Sequence, residues 1–84
     1  MTNNEILKKQ IIYRSTHRGT KEMDLLLGNF VMKNINILTN SELKDLDILM
    51  KMDDEILKKW YFEKNQINSI PDNKVTKLLK KFKL

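Results

Sequence analysis

The amino-acid sequence predicts an all-α fold, a compact bundle of four to five short helices. The chain has 84 residues with one proline and two glycines, so few residues interrupt regular structure. Its apolar residues recur three and four positions apart, which is the spacing of a helix face rather than of a strand. A chain of this length is expected to form one domain, residues 1–84, whose core is too thin for a deep enzyme cleft.

The first predicted helix begins at Thr2, which is followed three residues later by Glu5, the spacing of a capping box. This helix should run to about His17. It should end at Gly19, because glycine adopts the left-handed conformation of a helix C-cap at the least cost. The side chains that it is expected to bury are Leu7, Ile11, Ile6 and Tyr13.

The second predicted helix follows Thr20, a residue type that caps helix N-termini. Glu22 and Asp24 lie in its first turn, where negative charge interacts favourably with the helix dipole. The residues expected to face the core are Met23, Leu26, Leu27, Phe30 and Val31. Gly28 lies within this helix and costs up to about 1 kcal/mol relative to alanine, which predicts a close approach by another backbone.

A connection from Asn34 to Leu38 is expected to lead into a third helix. Thr39 and Glu42 have the spacing of a second capping box, which satisfies free amide groups at the start of that helix. Its predicted inner face consists of Leu43, Leu46, Leu49 and Met50. The third helix is therefore predicted with a defined start and a defined buried face.

Two further short helices complete the predicted bundle. Asp53 and Asp54 mark a break and a new N-cap. The fourth helix is expected to turn inward Ile56, Leu57, Trp60 and Tyr61. Pro71 stops any continuation, and Asp72 and Asn73 begin the last helix. The residues of the last helix expected to face inward are Val75, Leu78, Leu79 and Phe82.

Composition narrows the class of protein. The chain has no cysteine, which excludes disulfides and thiolate metal sites and favours the reducing interior of a cell. No apolar run approaches the roughly 18 to 20 residues of a membrane span, and residues 1–9 lack the apolar stretch of a signal peptide. We therefore expect an intracellular protein that is not inserted into a membrane and is monomeric when free.

The formal net charge of +5 makes a small basic helical nucleic-acid-binding protein the alternative function. However, 14 of the 16 basic residues are lysine, a usage that an A/T-rich genome produces without selection for charge. The lysines are spread along the chain except for one group near the C-terminus, which consists of Lys74, Lys77, Lys80, Lys81 and Lys83. We therefore expect no nucleic acid among the partners.

The sequence contains few combinations of residues that carry out chemistry. His17 is the single histidine and has no cysteine or second histidine to form a zinc site or a nucleophilic dyad. Two glycines cannot supply a dinucleotide-binding or phosphate-binding loop. The acidic pairs, Asp53 with Asp54 and Glu22 with Asp24, are explained by helix capping and the helix dipole. We therefore predict no catalytic, cofactor-binding or metal-binding residue, and no enzyme.

Residues 13–24, Y-R-S-T-H-R-G-T-K-E-M-D, contain both arginines of this lysine-rich chain. Arginine presents a planar fork of five donors that lysine cannot copy. These residues allow two interpretations. They are either ordinary helix ends, or a corner at Gly19 where the backbone of another protein approaches closely and pairs with an arginine and a carboxylate. The candidate partner-binding residues are Arg14, His17, Arg18, Gly19, Glu22 and Asp24.

The stretch R-S-T-H-R-G-T-K-E-M-D-L-L-L-G-N-F includes R-G-x-x-E at Arg18, Gly19 and Glu22. Later landmarks follow in order: Leu38-Thr39-x-x-Glu42, Asp53-Asp54-x-x-Leu57-x-x-Trp60, and Pro71 before an apolar helix. Over nearly its whole length the chain resembles the SdhE-type family, the small flavinylation factors of succinate dehydrogenase. It departs from the family's pattern at His17, where relatives often have arginine, and near Thr16, where they often have an aromatic residue.

The resemblance implies a five-helix domain in the bacterial cytoplasm or the mitochondrial matrix. It implies an assembly chaperone that binds the flavoprotein subunit of succinate dehydrogenase or fumarate reductase and promotes covalent attachment of FAD to a histidine of that subunit. The chain itself would hold no cofactor stably. Arg18, Gly19 and Glu22 match the family's functional motif. A direct flavin carrier, with Arg18 and the start of the second helix on the pyrophosphate, stays open as a further alternative.

Overall fold

The structure is a computed structural model that describes residues 2–84. Within that range it contains five α-helices and no strand, which confirms the all-α prediction. The helices are α1 (Asn3–Thr16), α2 (Lys21–Asn34), α3 (Asn40–Met50), α4 (Asp54–Tyr61) and α5 (Lys74–Lys81). None of them is long and apolar enough to cross a bilayer.

The helices begin where capping side chains predict. The residues that cap α1 to α5 are Thr2, Thr20, Thr39, Asp53 and Asn73. Thr39 and Glu42 form the complete capping box that their spacing predicts. At α1, Thr2 Oγ1 accepts the N–H of Glu5 at 3.2 Å, and the Glu5 carboxylate accepts the Thr2 hydroxyl at 3.3 Å. Each helix start is therefore fixed by a local hydrogen bond.

One cluster of buried apolar side chains joins all five helices. Every residue predicted to face inward from α2 and α3 is buried in it. From α4 and α5 the buried ones are Leu57, Trp60, Val75 and Leu79. Those that lie half-buried against the cluster are Ile56, Tyr61, Leu78 and Phe82. The apolar spacing therefore predicts the buried residues of α2 and α3 correctly. In α4 and α5 it predicts more buried residues than the structure has.

Helix α1 packs antiparallel against α2, and the two helices approach closely at Gly28. A Cβ added to Gly28 would lie 3.5 Å from Cγ2 of Thr16 and 3.8 Å from the carbonyl oxygen of Ser15. Near the other end, Lys8 Nζ donates to Asn36 Oδ1 at 3.4 Å. The Ser15 carbonyl shows that the backbone of α1 lies beside Gly28 as predicted, but both distances at Gly28 are ordinary van der Waals contacts that an alanine would also make. Helix α1 also packs against α3, and α3 packs against α5.

The first helix ends close to His17 as predicted, but the predicted left-handed cap at Gly19 is wrong. Helix α1 ends at Thr16 with His17 as its C-cap, and Gly19 does not have a positive φ. The backbone N–H of Arg18 donates to Oδ1 of Asp24 at 2.6 Å, which bends the chain directly into α2. A side chain from the next helix therefore takes the place of the expected left-handed glycine cap.

The predicted burial of Ile6 and Tyr13 is also wrong, because these side chains are 43% and 62% exposed. Helix α1 turns Ile11 and Ser15 toward the core, and both are fully buried. The small Ser15 side chain allows α2 to approach and donates to a carbonyl of its own helix at 2.8 Å. Tyr13 instead stacks on His17 at the surface, with ring centroids 3.9 Å apart.

Candidate partner-binding corner

The candidate site is the corner between α1 and α2, residues 13–24. Arg18 and Gly19 connect the two helices, and Thr20 Oγ1 accepts the N–H of Met23 at 3.3 Å. Asp24 accepts the backbone N–H of Arg18, as described above. These two hydrogen bonds tie the connection to the first turn of α2, so the corner has a defined backbone shape.

The Arg18 guanidinium is bound within the chain by four hydrogen bonds. Its Nε donates to Oδ1 of Asp54 at 2.7 Å, and Nη2 donates to the carbonyl of Met52 at 2.6 Å. Its Nη1 donates to the carbonyl of Met50 at 2.5 Å and to that of Arg14 at 3.3 Å. Arg18 therefore satisfies free carbonyls at the C-terminal ends of α1 and α3 and pairs with the first residue of α4.

This arrangement gives Arg18 a different role from the one inferred from the sequence. Only 8% of its side chain is exposed, and the expected pairing of its charge with a partner is made with Asp54 instead. The planar guanidinium, which suggested recognition of a partner, donates hydrogen bonds to one carboxylate and to three backbone carbonyls of its own chain. The geometry therefore makes Arg18 a residue that positions the corner rather than a free contact on its surface.

Asp54 is the residue of this site that the sequence analysis missed. Its Oδ2 accepts the backbone N–H of Gly19 at 2.8 Å, while its Oδ1 accepts from Arg18. A Cβ on Gly19 would lie 3.2 Å from that same Oδ2, a distance that forces the carboxylate to shift. Gly19 is therefore needed for the approach of a carboxylate, not for a special φ. The one available signal was the Asp53-Asp54 pair, because a single aspartate suffices to cap a helix.

The outer face of the corner carries Gly19 and Glu22, which are both exposed. The Glu22 side chain makes no hydrogen bond or ion pair with any part of the chain that the structure describes. It lies in the first turn of α2, at the positive end of the helix dipole. The corner therefore presents a backbone without a side chain beside an unpaired carboxylate.

Tyr13 and His17 form a flat, exposed ring pair on the α1 side of the corner. The two rings are 17° from parallel, and Nδ1 of His17 donates to the carbonyl of Tyr13 at 2.8 Å. That hydrogen bond assigns the proton to Nδ1, because a carbonyl only accepts. The pair adds an exposed aromatic surface on the α1 side of the corner, two residues before Gly19.

Arg14 lies one helical turn before Arg18 and belongs to a separate charge cluster. Its Nη1 is 3.6 Å from Oδ1 of Asp47, and Lys51 Nζ is 3.0 Å from Oδ2 of the same aspartate. The Arg14 side chain is 38% exposed. Of the six candidates, the structure thus leaves Gly19, Glu22 and His17 outward, whereas Arg18, Asp24 and part of Arg14 hold the fold together.

Among residues 2–84, no group of three or more acidic, histidine or cysteine side chains is arranged to hold a metal ion. The carboxylates of the corner are each used differently: Asp24 and Asp54 accept backbone and guanidinium N–H groups, and Glu22 faces outward. This arrangement suits recognition of another protein by shape and by a single negative charge.

Comparison with known proteins assigns most of the chain to one family model. Residues 9–83 match the model described as flavinator of succinate dehydrogenase. The match therefore includes the corner, all of α2 to α5 and most of α1. No solved structure matches the chain.

Curated relatives come from mitochondria and from bacteria. The chain is 38% identical to the mitochondrial succinate dehydrogenase assembly factor 2 of Dictyostelium discoideum, over 92% of this chain and 58% of that protein. It is 34% identical to the FAD assembly factor SdhE of Acetobacter pasteurianus, over 88% of this chain and 65% of that protein. It is 36% identical to the mitochondrial assembly factor 2 of Scheffersomyces stipitis, over 90% and 52%. The chain thus spans between half and two thirds of the length of these relatives.

Proposed function

This chain belongs to the family of flavinators of succinate dehydrogenase, and from that premise we propose that it is an assembly factor for the flavoprotein subunit of that enzyme. It binds the subunit and promotes covalent attachment of FAD to it. The match over residues 9–83 is the observation that carries this proposal. The names of these relatives, succinate dehydrogenase assembly factor 2 and FAD assembly factor SdhE, support it. The flavoprotein of fumarate reductase is a second client in this proposal.

The proposed binding surface is the outer face of the corner. Gly19 offers exposed backbone for a close approach by the partner, and the unpaired Glu22 carboxylate accepts hydrogen bonds from an arginine or from amide groups. Arg18 acts behind this face, because its bonds to α3 and α4 hold the Gly19 backbone in place. In this proposal Gly19 and Glu22 touch the partner and Arg18 positions them.

The proposed mechanism is preorganisation of the flavoprotein. An assembly factor that binds one arrangement of its client raises the population of that arrangement by its differential affinity. Alignment of the flavin with its target side chain then removes much of the entropic barrier to bond formation. The proposal requires no catalytic group on this chain, and the FAD is held by the client.

The flavin-carrier alternative loses its main support in this geometry. It relies on Arg18 to bind a pyrophosphate, but the Arg18 side chain is 8% exposed and four of its N–H groups are already bonded within the chain. We therefore favour the assembly factor. The proposal includes a location in the bacterial cytoplasm or the mitochondrial matrix, since the relatives come from bacteria and mitochondria, and it includes a monomeric free state.

The proposal is tested by replacing the free carboxylate of the corner. Cells that lack the native gene are supplied with the Glu22→Ala variant, and covalent flavin on the succinate dehydrogenase flavoprotein is measured by its fluorescence in denaturing gels. We expect a folded protein that copurifies poorly with the flavoprotein and a loss of most covalent flavin, because the partner's donors are left unpaired.

The matched control is Glu55→Ala. Glu55 is exposed and is the second residue of α4, as Glu22 is the second residue of α2, so both changes remove the same favourable charge from a first helix turn. We expect the Glu55 variant to support normal flavin attachment. Full attachment with Glu22→Ala would reject the corner as the interface. Full attachment in cells without the protein would reject the assembly function itself.

A further inference from the structure

A second site lies away from the corner, in a cavity between the 62–73 segment and α5. Its volume is about 620 Å³, within the roughly 300 to 1,000 Å³ typical of small-molecule sites. The lining residues that matter here are Trp60, Lys64, Ile67, Asp72, Lys77 and Lys80, and together they define the lysine-lined cavity. Neither the resemblance nor the comparisons assign a function to this part of the molecule.

The lysine-lined cavity carries an excess of positive charge. Lys77 Nζ is 3.9 Å from Oδ1 of Asp72, an ion pair at the limit of direct contact. Lys64 and Lys80 make no ion pair with any residue from 2 to 84. Three ammonium groups and one carboxylate leave a net charge of about +2 at the cavity, which favours an anion.

The backbone at Lys64 supports a role beyond ordinary surface charge. Lys64 has a φ of 60°, and among residues 2–84 it alone combines a positive φ with a side chain. A left-handed conformation costs a residue other than glycine about 1 to 2 kcal/mol. It lets the chain turn after α4, where the N–H of Asn65 donates to the carbonyl of Lys59 at 3.0 Å. A lysine therefore occupies a position at the edge of the cavity where glycine would be less strained.

Trp60 contributes the margin of its indole ring to the apolar side of the cavity and holds one of the cations. The Lys80 ammonium lies 5.1 Å from the centre of the indole ring, within the range of a cation–π interaction. The indole is 7% exposed, so its carbon surface belongs to the core and only its margin reaches the cavity. Ile67 extends the apolar wall. The cavity thus combines cations with an apolar surface.

We propose that the lysine-lined cavity binds a small phosphate monoester with an apolar body. A phosphate monoester carries about −1.5 to −2 charge at pH 7 and three acceptor oxygens, which match the net charge and the three ammonium groups. Lysine binds phosphate as a point charge, whereas the planar carboxylate is better matched by the fork of arginine, which the cavity lacks. The apolar body lies against Trp60 and Ile67. This inference does not depend on the flavinylation proposal.

The test uses the fluorescence of Trp60, because this is the single tryptophan of the chain and it lines the cavity. The full chain is titrated with phenyl phosphate at constant ionic strength. We expect a saturable change in Trp60 emission with a dissociation constant below about 1 mM. The double variant Lys64→Gln/Lys77→Gln should weaken binding about tenfold, a few-fold for each exposed charge contact.

The matched control is Lys44→Gln/Lys83→Gln, which removes the same net charge from two exposed lysines outside the cavity. Circular dichroism verifies that all variants are folded. The control should bind phenyl phosphate as the parent chain does. The proposal is overturned if Trp60 emission does not saturate with phenyl phosphate, or if the control double variant binds phenyl phosphate as weakly as Lys64→Gln/Lys77→Gln does. It is also overturned if phthalate binds to the parent chain as tightly as phenyl phosphate. Tighter binding of a single-stranded oligonucleotide would assign the lysines to nucleic acid instead.

Discussion

Arg18 joins three parts of the chain through one side chain. Its guanidinium reaches Asp54 at the start of α4, Met50 and Met52 at the end of α3, and Arg14 in the last turn of α1. Burying a charge is costly, and here the cost is offset by a carboxylate at 2.7 Å and by carbonyls that would otherwise lack donors. The corner that we propose as the interface is attached to α3 and α4 through this side chain, in addition to the backbone hydrogen bonds that Asp24 and Asp54 accept.

Replacing Arg18 should therefore lower stability as well as function. We expect Arg18→Ala to lower the free energy of unfolding by about 2 to 3 kcal/mol, because it leaves Asp54 without its partner and several carbonyls without donors. Arg18→Lys should recover only part of this loss, since an ammonium cannot copy the fork. Urea denaturation followed by circular dichroism measures both.

Arg14→Ala is the control for that measurement. The Arg14 side chain is 38% exposed, its ion pair with Asp47 is 3.6 Å long without a hydrogen bond, and Asp47 keeps Lys51, so the expected loss is smaller, about 1 kcal/mol. Equal losses for the two arginines would show that Arg18 is no more important to the fold than a surface cation.

At the scale of helices, the bounds were predictable from the sequence, whereas the side chains that fix the corner between α1 and α2 were not. A helix start is set by a side chain within three residues, as Thr39 and Glu42 illustrate, so the sequence contains the whole signal. The end of α1 is set by Asp24 and the corner beyond it by Asp54, which lies 35 positions from Gly19. Sequence spacing carries no information about a partner as distant as Asp54, so the sequence does not reveal that Arg18 is buried.

The left-handed residue after α4 gives a prediction at this scale. We expect Lys64→Gly to raise the free energy of unfolding by about 1 kcal/mol, because glycine adopts φ 60° without the steric cost that lysine bears. The same change at Lys59, an exposed residue within α4, should lower it by about 1 kcal/mol. Thermal unfolding of both variants measures whether each change raises or lowers stability. A loss of stability at both positions would show that the side chain of Lys64 stabilises the fold by more than its left-handed backbone costs.

At the scale of the whole molecule, α5 is attached by core contacts and by one link to α3. Glu42 of the α3 capping box accepts the N–H of Thr39 at 2.9 Å, and Lys74 Nζ lies 3.2 Å from its other oxygen. Both interactions favour the ionised carboxylate. The hydrogen bond from the Thr39 backbone, followed by the Lys74 ammonium, therefore holds the pKa of Glu42 below its ordinary value of 4.5.

Stability should consequently depend on pH through Glu42. A pKa lowered by folding contributes stability that is fully present above the unfolded value of 4.5 and is lost as the pH falls through the lower folded value. We expect the melting temperature of the parent chain to exceed that of Glu42→Gln at neutral pH, and the difference to shrink below about pH 4.5. A difference that stays constant across this range would mean that the charge of Glu42 is not what stabilises the α3 start.

The hydrogen bonds of Arg18 and Gly19 to Asp54 span 36 and 35 positions of the sequence. A chain emerging from the ribosome has its R-G-x-x-E motif long before it has Asp54, and until then the corner has its local hydrogen bonds to Thr20 and Asp24 but not the bond from Gly19 to Asp54. The corner reaches its final geometry only after α4 has begun to form against α1 and α3. If this corner is the client-binding surface that we propose, client binding depends on completed folding, and a copy truncated before Asp54 binds the client less well than the full chain.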